Sequence, residues 1–125
     1  MDENELAAIV VDTCFQLHVK YGPGLLESVY EELVYFELRR LNLNIRRQVA
    51  IPLVHDKLTL EVSFRADLII ENLLLVELKS VEKLSGVHFK QTLTYLKLTK
   101  LRLGLLINFN EILIKDGIKR VVNKL

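Results

Sequence analysis

Proline, glycine and cysteine are scarce in this chain and tryptophan is absent: 125 residues hold two Pro, five Gly and one Cys. So little glycine and proline excludes collagen-like and linker sequence. The lone thiol, Cys14, has no internal partner for a disulfide. Its apolar neighbours at helical spacing make it a small buried hydrophobe rather than a reactive nucleophile. No apolar run approaches the roughly 20 residues of a membrane span; the longest, Leu73–Val76 and Leu103–Ile107, are strand-sized. The first residues are acidic (Asp2, Glu3, Glu5) rather than basic and then apolar, so no secretory leader is expected and a reducing, cytoplasmic setting is the default. The disordered combination of low hydrophobicity and high net charge is missing too. Half the residues are hydrophobic, and 17 Lys and Arg stand against 16 Asp and Glu. One globular domain with a single core is expected at this length.

That near-neutral total hides an asymmetry. Residues 1–37 hold eight acids and one base, Lys20, whereas residues 38–125 hold sixteen bases and eight acids. Such a basic excess attracts phosphate backbones. It is also the ordinary dressing of solvated helix and strand faces, and charge alone favours that plainer reading.

Leu6, Ile9, Val10, Thr13, Cys14, Leu17 and Tyr21 repeat at three and four residues, which predicts a helix capped by Asp2 or Asn4 and stopped by Gly22-Pro23-Gly24. A second helix is expected from Leu25 to Leu41, with Leu26, Val29, Tyr30, Leu33 and Phe36 inward. The period then changes to two. Gln48–His55 reads as a strand that Pro52 sends to an edge, Leu58–Ile70 as a second strand, long and bent, and Leu73–Lys79 as a third, apolar enough to be central. These three suggest an antiparallel meander. Ser85 caps a third helix reaching Thr99, with Leu84, Val87, Leu93, Leu96 and Leu98 as its apolar contacts. Leu103–Phe109 is a strand buried on both faces, and Ile112–Ile114 and Ile118–Val122 are short strands or turns. The order α-α-β-β-β-α-β plus short C-terminal strands predicts one α/β domain, a mixed sheet flanked by helices.

Three polar residues sit where apolar strands make them expensive: Asp67 in the second strand, Glu77 and Lys79 in the third. Glu77 and Lys79 are two apart and share a face. If the turn at Glu71-Asn72 pairs positions summing to 144, Asp67 faces Glu77 and Arg65 faces Lys79; a one-residue slip sends Asp67 to the other face. Adjacent carboxylates stay ionised together only beside positive charge. Lys79 supplies part of it, and a divalent cation supplies more, with oxygen ligands suiting Mg²⁺ or Mn²⁺. Such an ion polarises a phosphoryl oxygen and acidifies water, and Lys79 orients that water or stabilises charge on the phosphate. The plainer reading is a cross-strand ion pair of Asp67 or Glu77 with Lys79 or Arg65.

Asp67, nine residues and then Glu77-x-Lys79 is a pattern that resembles the PD-(D/E)XK nuclease superfamily. Gly24-Leu25-Leu26-Glu27-Ser28-Val29-Tyr30 reads G-x-x-E-x-x-Y on the helix before the meander, and Gln91-Thr92-Leu93-Thr94-Tyr95 reads Q-x-x-x-Y on the helix after it. From the first helix to Asn108-Phe109 the chain resembles the small GxxExxY family, placed in that superfamily. The resemblance implies a restriction-endonuclease-like core. It implies Asp67 and Glu77 as metal ligands, Glu27 as a carboxylate reaching the metal directly or through water, and Lys79 as the catalytic lysine. Gln91 and Tyr95, one helical turn apart, resemble the RecB-type branch, where they support the site or contact the substrate backbone; His88 joins their face. Ala66 stands where the motif's proline would be.

Plainer readings remain beside these. Tyr30 and Tyr95 are core aromatics with a polar tip, Gly24 serves the turn, Gln91 bonds a loop, His88 lies on a helix surface and Glu27 suits a helix N-terminus. His18 and His55 have no evident partner. Zinc clusters, phosphate loops and serine elbows are absent. The expected function is an Mg²⁺- or Mn²⁺-dependent nuclease acting on nucleic acid, DNA foremost, by attack of an activated water on phosphorus. The alternatives are a nucleic-acid-binding or protein-interaction module that keeps the fold. With no recognition insert, sequence selectivity calls for a protein partner or a homodimer.

Overall fold

A computed structural model describes residues 1–125. The first helix, α1, spans Glu3–Tyr21. Asp2 caps it by accepting the Glu5 N–H at 2.8 Å, and Glu3 and Glu5 sit where the helix dipole favours acids. Gly22, at φ 68°, ends it and donates its N–H to His18 O. His18 is buried, tilted against Phe109, and its Nε2 lies 2.8 Å from Glu111 O, the partner that sequence did not reveal.

The turn Gly22-Pro23-Gly24 leads into α2, Glu27–Arg39. Tyr30 holds that turn: its hydroxyl donates to Gly22 O at 2.6 Å and accepts the Leu25 N–H at 3.1 Å, and its fully buried ring stacks on Phe109 at 4.2 Å. Tyr30→Phe leaves a carbonyl and an amide without their partner and is expected to cost about 1–3 kcal/mol. Urea unfolding of the two proteins measures it, and equal midpoints would mean that the turn holds itself.

The buried stripe of α2 is Tyr30, Glu31, Val34 and Leu38. The expected stripe is therefore out of phase, with Leu26 72% and Phe36 60% exposed. Leu26 precedes the helix as its N-cap. Glu31 is drawn inward by Arg47 and Gln48, which rotates the helix about one position from the face that hydrophobicity alone selects.

The strands are β1 (Ile45–His55), β2 (Leu58–Ile70), β3 (Leu74–Lys79), β4 (Leu103–Asn108) and β5 (Ile118–Val122), with α3 (Gly86–Thr99) between β3 and β4. They form one sheet in the order β1-β2-β3-β4-β5. Only β3 and β4 are parallel, joined by the crossover through α3, and the other neighbours are antiparallel. The mixed α/β sheet, its meander and its central β3 match the expectation. Pro52 lies on the edge strand, where a missing donor is tolerated, beside a register shift between Ile51 and Leu53. Of the C-terminal segments expected as short strands or turns, Ile118–Val122 forms β5 and Ile114–Gly117 is a 3-10 turn.

The sheet divides two layers. Leu68, Ile70, Leu74, Val76, Leu78, Leu103, Leu105 and Ile107 pack with α1 and α2. Ile51, Ala66, Ile69 and Leu75 pack with Leu96 of α3. Side chains alternate along a strand, so Glu77 and Lys79 share the α3 face with Leu75. That helix lies close: a Cβ on Gly104 of β4 would meet Thr92 Cγ2 at 3.2 Å and Leu96 at 3.4 Å. Thr92 and Leu96 are its inward residues, whereas Val87, expected inside, is 64% exposed. No helix is long and apolar enough to cross a membrane.

Candidate active site

The turn after β2 sets the register that the acid pair needs. Ile70 pairs with Leu74, Ile69 with Leu75 and Leu68 with Val76. Asp67 and Glu77 are the next two positions outward, and there the backbone ladder stops. Side chains take over: the Asp67 N–H donates to Glu77 Oε2 at 3.3 Å, and the Leu78 N–H donates to Asp67 Oδ2 at 2.8 Å. Each carboxylate thus occupies a backbone donor of the opposite strand. Because pairing ends there, the expected apposition of Arg65 and Lys79 does not form. Arg65 pairs with Ala50 of β1, and Lys79 with Asn108 of β4.

The other neighbour of β2 is irregular at the same place. The β1–β2 ladder skips Gln48, which has a left-handed φ of 46° and stands opposite Asp67. Leu68 and Ile70 pack in the α1–α2 layer, whereas Phe64 and Ala66, of the same parity, pack in the α3 layer. The strand therefore changes face at Asp67, which is the bend expected in the long second strand.

Glu77 is almost completely buried, and its Oε1 has no hydrogen-bond partner. Burial, first, and the negative charge of Asp67, second, push its carboxyl up to about 9, against a downward pull from Lys79. Burial therefore favours the protonated carboxyl of Glu77 in the metal-free protein. The hydroxyl of Tyr95 also titrates above its ordinary value, through burial and then the charges of Glu77 and Asp67. Tyr95 therefore faces the acid pair, with its ring tilted against Phe64 at 4.7 Å.

Glu27, in the first turn of α2, accepts the Ser80 N–H at 3.2 Å, just past Lys79. It sits at the same end of β3 as the pair, with its carboxylate engaged on the backbone. Lys79 is half-buried and forms no ion pair with either acid, and Gln91 is exposed on α3. His88 is taken up by the helix cap, its Nδ1 accepting the Ser85 N–H at 3.0 Å. Tyr30 is a core residue, closed off from solvent. Arg65 is exposed.

Residues that sequence reasoning missed complete the surroundings. Asn108 pins the loop after β3 by accepting from Val81 N at 3.0 Å and donating to Val81 O at 2.9 Å. Its signal was a lone amide ending an apolar strand. Glu31 and Gln48 flank Asp67; Glu31 could have been found as the carboxylate four residues after Glu27, on the same helix face.

No three Asp, Glu, His or Cys side chains converge into a closed cage. The donor set is a carboxylate pair with one buried, unpartnered oxygen. That fits an Mg²⁺-like ion, which is held by one or two carboxylates and keeps its remaining positions for water and phosphate. It does not fit an all-protein Zn²⁺ or Ca²⁺ cage.

Residues 4–121 match a family model described as the PD-(D/E)XK nuclease superfamily. No curated protein and no solved structure gives a significant match.

Proposed function

Since the chain belongs to the PD-(D/E)XK nuclease superfamily, we propose that it is a divalent-metal-dependent nuclease that hydrolyses phosphodiester bonds in DNA. Within the superfamily we group it with the GxxExxY proteins, on Gly24, Glu27 and Tyr30. The observation that carries the reading is the buried, unpartnered Oε1 of Glu77 beside Asp67. A buried carboxyl oxygen without a partner is costly for stability alone, and it is the group that a cation would complete.

In this reading Asp67 and Glu77 would hold Mg²⁺ or Mn²⁺, and Glu27, which fixes the Ser80 backbone, would reach the ion directly or through water. The bound ion would supply charge neutralisation at the phosphate and an acidified water. Lys79, on the same strand face, stabilises charge building on the phosphoryl oxygens. Tyr95 and Gln91, from the facing helix, contact the substrate backbone. Lys97, Lys100, Arg102 and Lys124 line one surface hollow with no acid among its lining residues, which suits a polyanion whose affinity falls with salt.

Calorimetry with Mn²⁺ and cleavage assays on DNA, with RNA as comparison, test this. Expected are one bound ion, lost in Asp67→Asn, and Mn²⁺-dependent cleavage of DNA. DNA binding without Mn²⁺ binding would instead identify a nucleic-acid-binding module.

A further inference from the structure

We infer that Gln48 is a positioning residue for the acid pair, tying Glu31 of α2 to Asp67 of β2 so that Asp67 presents one fixed orientation to a divalent cation. The inference rests on the metal-dependent reading above and deepens it. The side-chain amide of Gln48 has two hydrogens and two carboxylates within reach: Nε2 lies 2.6 Å from Glu31 Oε1 and 3.4 Å from Asp67 Oδ1. Asp67 Oδ2 already accepts the Leu78 N–H, so both Asp67 oxygens are held, one from each neighbouring strand.

The backbone of Gln48 points the same way. A non-glycine residue at φ 46° inside a strand is strained and persists only where its surroundings over-determine it. Here the strain interrupts the β1–β2 ladder opposite Asp67 alone, with regular pairs at Arg47–Leu68 and Val49–Ala66 on either side. Chemistry explains why the residue is an amide. A lysine or arginine at this position would neutralise the acid pair and compete with a cation, whereas a neutral donor orients Asp67 and leaves its charge available. The nearby cation, Arg47, is spent elsewhere: it pairs with Glu31 at 3.0 Å and Glu32 at 2.7 Å and lies over the Tyr35 ring. Glu31 is thus neutralised from one side and bonded to Gln48 from the other. Glu27, one turn earlier, grips Ser80, so α2 holds the sheet on both flanks of the acid pair.

Gln48→Gly separates positioning from folding, because glycine adopts a left-handed φ without strain while the amide is lost. Its thermal midpoint is expected to fall only modestly, relief of the strained backbone offsetting part of the lost hydrogen bond to Glu31. Its Mn²⁺ affinity by calorimetry is expected to fall about 10-fold, the lower end of what loss of an outer hydrogen-bond partner costs a metal site. Gln48→Leu, which keeps the bulk and the strained backbone, is expected to weaken Mn²⁺ binding equally. Wild-type affinity in Gln48→Gly would overturn the inference and leave the metal-dependent reading standing. A wild type that binds no Mn²⁺ overturns that reading, and the role of Gln48 with it.

Discussion

Lys79→Ala is expected to slow Mn²⁺-dependent cleavage by at least about 10²–10³-fold, the effect of removing one preorganised electrostatic group from a transition state, with Mn²⁺ binding retained. The split follows from where the ammonium stands. Lys79 shares the β3 face of Glu77 and lies close enough to oppose the rise in that carboxyl's titration, yet it forms no ion pair with either acid. It is therefore free to meet charge that develops elsewhere, on the phosphate. Removing it takes one positive charge away from the acids and deletes none of the oxygen donors. Asp67→Asn has the complementary signature: both the ion and the cleavage are lost, because half of the carboxylate pair is gone. Equal cleavage by Lys79→Ala and the wild type would dismiss the lysine from the reaction. Loss of Mn²⁺ binding in Lys79→Ala would show instead that it organises the acids.

The parts of this site that were legible in the sequence are those written in local period and turn chemistry. Glu71-Asn72 fixed the hairpin register, both residues accepting the left-handed backbone that the turn requires, and that register brings Asp67 to Glu77. The alternation along β3 put Lys79 on the same side. What stayed hidden depends on contacts distant in sequence. The stripe of α2 could not be phased from hydrophobicity, because a carboxylate, Glu31, occupies a buried position for the sake of two residues on β1. Arg65 stands opposite Lys79 only in a ladder extended beyond the point where side chains replace backbone pairing. Gln48 carried no signal at all: nothing in its neighbours marks a left-handed residue in mid-strand, and its partners lie 17 and 19 positions away. His88 misled in the opposite sense, since a histidine three residues after Ser85 is as good a helix cap as it is a candidate ligand.

The burial of Glu77 has its largest consequence in the pH dependence of the metal-free protein. Its carboxyl titrates near 9 in the folded chain against an ordinary 4.5. Between those values the folded state keeps a proton that the unfolded state releases. The contribution to stability is complete below about 4.5 and is lost as pH rises through about 9. Glu77→Gln imitates the protonated form and has nothing to release. It is expected to match the wild type near pH 4 and to exceed it by a margin that grows with pH towards 9, at most about 1.4 kcal/mol per pH unit. Urea unfolding across that range, read as the difference between the two proteins, cancels the other titrating groups. Mn²⁺ is expected to flatten that slope for the wild type alone, since a cation that takes the place of the Glu77 proton binds more tightly as pH rises and releases about one proton near neutrality. Calorimetry in two buffers of different ionisation enthalpy counts that proton. A difference between Glu77→Gln and wild type that stays constant from acid to alkaline pH would mean that Glu77 is ionised throughout, and the acid pair would then owe its stability to Lys79 rather than to the proton on Glu77.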